Sequence, residues 1–176
     1  MLFYRQAAGD IAPMPVELGD LELVKWQPAR DGAPRGVFAT RTNRLWWLLH
    51  RLAAFARPDL TAYALLDGGR VVHRLLVTPR WFRFPDMDAD DLQMGDLWTD
   101  PTRRGEGLAA RMIAAVHADR AGRFGAMWYL VDSDNAASVR LIERFGYRLA
   151  GEGVRTRPLG IGALGRFRML SRRGVG

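Results

Sequence analysis

Residues 96–113 run Asp-Leu-Trp-Thr-Asp-Pro-Thr-Arg-Arg-Gly-Glu-Gly-Leu-Ala-Ala-Arg-Met-Ile, which reads as a strand, a glycine-bearing turn and the start of a helix. That arrangement can hold a phosphate. The turn Arg104-Gly105-Glu106-Gly107-Leu108-Ala109 puts small residues where a ligand must approach the backbone. The helix behind it points unpaired N–H groups and a positive dipole end at the ligand. Gly105 and Gly107 also permit backbone angles closed to other residues. The lysine-serine ending of a P-loop is missing, and no Gly-x-Gly-x-x-Gly precedes a ribose-binding acid, so a different phosphate ligand is expected.

About thirty residues later comes Val131-Asp132-Ser133-Asp134-Asn135-Ala136-Ala137-Ser138-Val139-Arg140-Leu141-Ile142-Glu143-Arg144-Phe145-Gly146-Tyr147: a strand end, an asparagine at a helix start, and a helix closed by an aromatic-Gly-aromatic triplet. Either segment alone could be an ordinary strand-to-helix turn; that reading does not easily explain both. Together they resemble the GNAT acyltransferase superfamily, whose pyrophosphate loop reads Arg/Gln-x-x-Gly-x-Gly/Ala, matched here by Arg104, Gly107 and Ala109. The motifs cover residues 92–147, and the first ninety or so residues are placed by length and order of elements.

The resemblance implies a wedge between the strand before the pyrophosphate loop and the strand before the second signature helix, with pantetheine lying in it like an extra strand. Leu97, Trp98 and Thr99 are the matching backbone positions. Residues 104–109, with Asn135 and Ser138, complete the expected acyl-CoA contacts. The acceptor's neutral amine would attack the thioester directly, leaving the protein to position it, remove a proton and stabilise the oxyanion. Asp96 is the first candidate base, against a structural reading in which it merely pairs with an arginine. Gln93 stands where some relatives carry glutamate. His73 is the second candidate, because histidine titrates near neutrality; a hydrogen-bonded structural histidine is the competing account. His50 and His117 carry little functional weight.

One position departs from the family pattern. Many members place a tyrosine seven residues after the signature asparagine, to protonate the CoA thiolate; here that position is Ile142. Ser138, Tyr129 or solvent could give the proton instead, while Tyr147 belongs to the core. The departure also keeps open a non-catalytic acyl-CoA sensor.

Acceptor identity must come from the N-terminal half. Residues 41–57 form an aromatic, basic helix in which Trp46 and Trp47 lie near Arg44 and Arg51, with core packing favoured over function. The run Arg80-Trp81-Phe82-Arg83-Phe84-Pro85 suits stacking on sugars and pairing with phosphates as well as it suits packing. Residues 73–96 also resemble members associated with surface-polysaccharide gene clusters. This implies an amino sugar, free or nucleotide-linked, as acceptor; a protein or peptide amine is the alternative.

The chain has 176 residues and a net charge of +7, carried almost wholly by arginine, with Lys25 the only lysine. Arginine suits phosphates and carboxylates, but these arginines are spread along the chain and no nucleic-acid-binding signature is present, so no nucleic-acid partner is expected. With no cysteine, disulfides and thiolate nucleophiles are excluded. No His/Asp/Glu cluster has metal-ligand spacing, so no metal is expected. The N-terminus lacks a signal-peptide pattern and the longest apolar stretch is too short to span a bilayer, which predicts a cytoplasmic enzyme. A homodimer is compatible with the resemblance.

The elements that must position these residues follow from periodicity and turn chemistry. We expect a strand at 21–26, a helix from 42 to 56 capped by Thr42 or Asn43, and a hairpin of strands 61–66 and 71–77 around Asp67-Gly68-Gly69. After a loop at 79–91 come a strand at 92–99 and a helix at 107–120 with Leu108, Met112 and Val116 on one stripe. A strand at 126–131 and a helix at 135–145 stopped by Gly146 follow. One or two strands lie within 147–170, interrupted by Pro158 and the glycines at 160, 162 and 165. The expected architecture is a single α/β domain over 1–176 with three layers. Its mixed, mostly antiparallel sheet is splayed at the strands before residues 100 and 133, with helices on both faces. Residues 1–91 form the acceptor side, 92–147 the acyl-CoA motifs and 148–176 the C-terminal strands.

Overall fold

Gly68 and Gly69 have φ of 56° and 82°, the two left-handed residues a tight hairpin turn needs. They join β3 (Thr61–Asp67) to β4 (Arg70–Pro79). The computed structural model describes residues 1–156 and 165–172. Among the described residues, the other strands are β1 (Leu2–Ala7), β2 (Glu22–Trp26), β5 (Leu92–Thr99), β6 (Ala126–Val131), β7 (Arg148–Arg155) and β8 (Phe167–Arg172). The α-helices are α1 (Pro28–Asp31), α2 (Arg41–Arg51), α3 (Leu108–Arg120) and α4 (Ala136–Arg144). One sheet takes all eight strands in the order β2-β3-β4-β5-β6-β1-β7-β8. Among the described strands, only β5 and β6 are parallel neighbours.

Alternate residues of each strand feed opposite faces. On one face, Leu65, Leu75 and Met94 pack with Leu108, Met112 and Val116 of α3 and Ile142 of α4. Burying each such side chain stabilises the fold by roughly 1.5–3 kcal/mol. On the other face, Trp26, Ala62 and Leu76 meet Trp46 and Trp47 of α2, and Phe3 and Trp128 meet Phe84 and Met87 of the 80–91 connection. Helices therefore cover both faces, giving the expected three layers.

The expectations for 92–99, the helix beginning after Gly107, and 126–131 hold to within a residue, and Gly146 ends α4 with φ 85°. Three differ. The cap of α2 is Thr40, whose side chain accepts from Asn43 N, so Thr42 and Asn43 fall inside the first turn; the helix ends at Arg51, not at 56. Residues 2–7, for which the sequence names no element, form β1, which pairs with β6 on one side and β7 on the other. The C-terminal part supplies two strands, while the interruptions at Pro158, Gly160 and Gly162 lie outside the described residues.

Candidate functional site

The site begins with a bulge. Arg74 faces Trp98 and Leu76 faces Gly95, so Asp96 and Leu97 together oppose Leu75. Two residues against one bend the strand away from its neighbours. Asp96 takes up the bend with φ 48°, a left-handed conformation rare outside glycine, asparagine and aspartate. β5 pairs with β6 only over Leu92–Met94 against Met127–Tyr129, so beyond that point the two strands part. The space between them is a wedge of about 510 Å³, bordered by Leu97, Trp98, Thr99, Tyr129, Asn135 and Ser138.

The wedge leads into a second cleft of about 660 Å³ over Gly105, Gly107 and the first turn of α3. Gly105 and Gly107 have φ of 88° and 75°, and a Cβ at either would meet nothing within 4 Å, so the turn's outer surface is open. α2 and α4 are capped by side chains, Thr40 and Asn135, whereas α3 starts at Gly107 with no side-chain cap. Its first amides thus lack intrahelical partners and stand open to an anion. Arg104, Arg140 and Arg144 line the same cleft and form no ion pair among the described residues. Two members of the expected set point elsewhere. Glu106 binds Arg103 Nε at 2.8 Å with both carboxylate oxygens, outside the cleft lining, and the Leu108 side chain is buried in the core, leaving its backbone to face the cleft. Asp100 anchors the approach: its carboxylate accepts from Thr102 N and Oγ1 and from Arg70. Those bonds, Thr102 N first, hold it below the ordinary carboxylate range.

The candidate proton carriers fall in different places. His73 is fully buried on β4, its Nδ1 2.8 Å from the Thr99 hydroxyl, and burial pushes its pKa down to about 4. It lines the wedge as a neutral ring, but it is enclosed and bonded to Thr99, whereas Asp96 stands on the open acceptor side. Asp96 is half-exposed, and partial burial raises its carboxyl above the ordinary value while Arg74 opposes the shift. Gln93 is buried with its Oε1 unpartnered. Tyr129 and Ser138, from different elements, meet at the wedge; burial raises the phenol's pKa and the Ser138 hydrogen bond works against it. Ile142 lies wholly in the core, and Tyr147 hydrogen-bonds His117 at 2.8 Å.

A third cavity, of about 230 Å³, lies on the α2 face and shares Trp98 with the wedge. Phe38, Ala62 and Leu76 give it an apolar lining, and Arg74 and Asp96 stand at its charged side. Sequence reasoning missed Arg74, one arginine among many whose position only the strand register reveals. The arginine and aromatic run at 80–85 is largely packing. Trp81 wedges between Trp46 and Phe55, with ring centroids 5.1 and 5.6 Å apart. Phe84 is fully buried, and of the aromatics in the run only Phe82 is substantially exposed. Among the described residues, no group of three or more His, Cys, Asp or Glu could hold a metal ion, and no helix is long and apolar enough to cross a membrane.

A model of the acetyltransferase (GNAT) family matches residues 22–147. No curated protein matches the sequence. Among solved structures, a GCN5-related N-acetyltransferase from Kribbella flavida is 16% identical over 84% of this chain and 53% of that chain, with a TM-score of 0.50. A tandem GNAT protein from the clavulanic acid biosynthesis pathway is 11% identical over 84% and 49%, with a TM-score of 0.59. AAC(6')-Iy, in complex with the bisubstrate analogue CoA-S-monomethyl-acetylneamine, is 14% identical over 79% and 98%, with a TM-score of 0.54. At these identities the likeness is one of fold. The chain spans about half the length of the first structures it matches.

Proposed function

The chain belongs to the acetyltransferase (GNAT) family, and from that premise we propose that it moves an acyl group from acetyl-CoA, or another acyl-CoA, directly to the amine of a small acceptor. One observation carries this reading: the wedge between β5 and β6 joins the uncapped end of α3 on one side and meets the α2-face cavity at Trp98 on the other. A CoA-shaped path and an acceptor-sized pocket therefore share one wall.

The unpaired edge of β5 at Leu97–Thr99 offers backbone groups to pantetheine, as a sheet edge does to an added strand. The amides at the start of α3 and the turn 104–109 receive the pyrophosphate. Asp96, on the acceptor side, takes a proton from the incoming ammonium directly or through water. The neutral nitrogen attacks the thioester carbon, a backbone N–H of the parted strand stabilises the oxyanion, and the C–S bond breaks to release CoA thiolate. Ser138, Tyr129 or water returns a proton to sulfur.

The cavity of about 230 Å³ favours a small acceptor over a polypeptide, which would need an open groove. The resemblance of residues 73–96 to polysaccharide-cluster members makes an amino sugar, free or nucleotide-linked, the first acceptor to try. Single turnover with acetyl-CoA and a panel of amines, read by product mass, tests the proposal. Tight acetyl-CoA binding without transfer to any amine would favour an acyl-CoA sensor.

A further inference from the structure

Arg74 and Asp96 form an unusual pair. Arg74 Nη2 and Asp96 Oδ1 are 3.8 Å apart, too far for a hydrogen bond, and both side chains remain nearly half-exposed at the cavity on the α2 face. The Arg74 guanidinium lies 5.6 Å from the centre of the Trp98 ring, which holds it by cation–π attraction. It makes no hydrogen bond among the described residues, whereas Arg57, Arg70, Arg103 and Arg120 are all committed to specific acceptors. A planar fork with unused donors is suited to a carboxylate or phosphate. The rest of the lining is mainly apolar, with Thr40, Thr42 and Asn43 at the start of α2 adding uncharged polar groups.

We propose that Arg74 is the specificity-determining residue of the acceptor pocket, and that the acceptor is a small amine carrying a carboxylate or phosphate close to its nitrogen. This rests on the acyltransfer reading above and narrows its substrate class. The two charged side chains stand side by side at the cavity, so a cation and an anion one or two carbons apart on one molecule can sit opposite them, ammonium to Asp96 and anion to Arg74. Binding then replaces a loose ion pair with two charge-assisted hydrogen bonds, and the cavity's apolar wall takes the remainder of the acceptor. Because Asp96 must receive the proton, the anion held by Arg74 also fixes which nitrogen faces the wedge. An α-amino acid with an apolar side chain and an amino sugar bearing a neighbouring phosphate both meet this description.

Two matched pairs test the proposal and separate these sources: leucine with 3-methylbutylamine, and glucosamine 1-phosphate with glucosamine. Affinity for the CoA-loaded protein is read by calorimetry, and kcat/KM with acetyl-CoA by thiol release. The expected result is a preference of at least tenfold for the anionic member of one pair, abolished in Arg74→Gln and partly restored in Arg74→Lys. Affinity for acetyl-CoA should be unchanged. Equal use or binding of charged and neutral members, or a uniform loss for both in Arg74→Gln, overturns the proposal. Selective binding of the anionic amine with no transfer overturns the acyltransfer reading instead and leaves the role of Arg74 standing.

Discussion

His73 and Thr99 face each other across β4 and β5, with His73 Nδ1 2.8 Å from the Thr99 hydroxyl. This contact ties the end of the parted strand to its neighbour along the wedge, so His73 holds the wall of the site in place. Burial pushes its pKa down to about 4, so the ring stays neutral near pH 7. We expect His73→Gln, which can keep a hydrogen bond to Thr99, to retain most turnover at pH 7.5. A loss of a hundredfold or more with normal thermal stability would return His73 to the mechanism.

The same burial makes a stability prediction. His73 and His117 both have pKa values pushed down to about 4, against about 6.5 in the unfolded chain. The unfolded state therefore binds more protons between pH 6.5 and 4, and stability falls as pH drops through that window. Each histidine contributes on the order of 3 kcal/mol to this loss. Thermal midpoints measured from pH 7.5 to 4 should fall steeply, and His117→Gln should flatten the slope. An unchanged slope would show that His117 is charged within the fold.

Asp96→Asn removes the charge while keeping a residue that tolerates the left-handed φ of 48°. Turnover should fall by roughly two to four powers of ten, the usual contribution of general base catalysis, with acetyl-CoA affinity spared. Because burial raises the carboxyl's pKa while Arg74 opposes the shift, the acidic limb of the rate profile should sit above the ordinary aspartate value and vanish in the variant. The native form holds its proton more tightly, so Asp96 makes the fold less stable as pH rises through that pKa. Asp96→Asn should accordingly melt no lower than the parent at pH 7. Full turnover in the variant would remove Asp96 as the base.

At the CoA end, Gly107→Glu would put a bulky anion over the uncapped start of α3, where φ is 75°. Acetyl-CoA binding should be lost; a folded variant that binds as the parent does would show that the turn is not the phosphate site. Arg140 and Arg144, one turn apart on α4, line that cleft without ion-pair partners among the described residues. Replacing both by alanine should weaken CoA by about tenfold, as two exposed charge-assisted contacts would, and reduce the salt dependence of binding. Dephospho-CoA should be affected less if they meet the 3′-phosphate. Equal weakening of both ligands would assign them to the pyrophosphate.

What the chain reveals before folding divides along a physical line. β5, α3, β6 and α4 were legible because periodicity, glycine turns and the Asn135 cap are local signals. β1 was not, because its place between β6 and β7 is a pairing across the whole length of the chain. The cap of α2 was ambiguous because Thr40, Thr42 and Asn43 are all capable, and only backbone geometry picks Thr40. Arginine and aromatic types at 80–85 could not distinguish binding from packing until Trp81 was seen between Trp46 and Phe55. Asp96 could be named, but its strained backbone and its facing of Arg74 depend on a bulge in the register of β4 and β5.

The final prediction concerns the proton returned to CoA sulfur. Ile142 is wholly buried and has no proton to give, and Tyr147 is occupied by His117. Ser138 and Tyr129 remain, and they meet at the wedge instead of standing as separate alternatives. A thiol with a reference pKa of about 8.5 leaves readily as thiolate, so neither donor alone is indispensable. Ser138→Ala and Tyr129→Phe should each lower turnover by less than about tenfold. If the two hydroxyls relay one proton, either single change breaks the relay, and the double variant should lose little more than the worse single one. Losses that multiply in the double variant would instead show two independent donors, while a collapse in Tyr129→Phe alone would place the acid on β6.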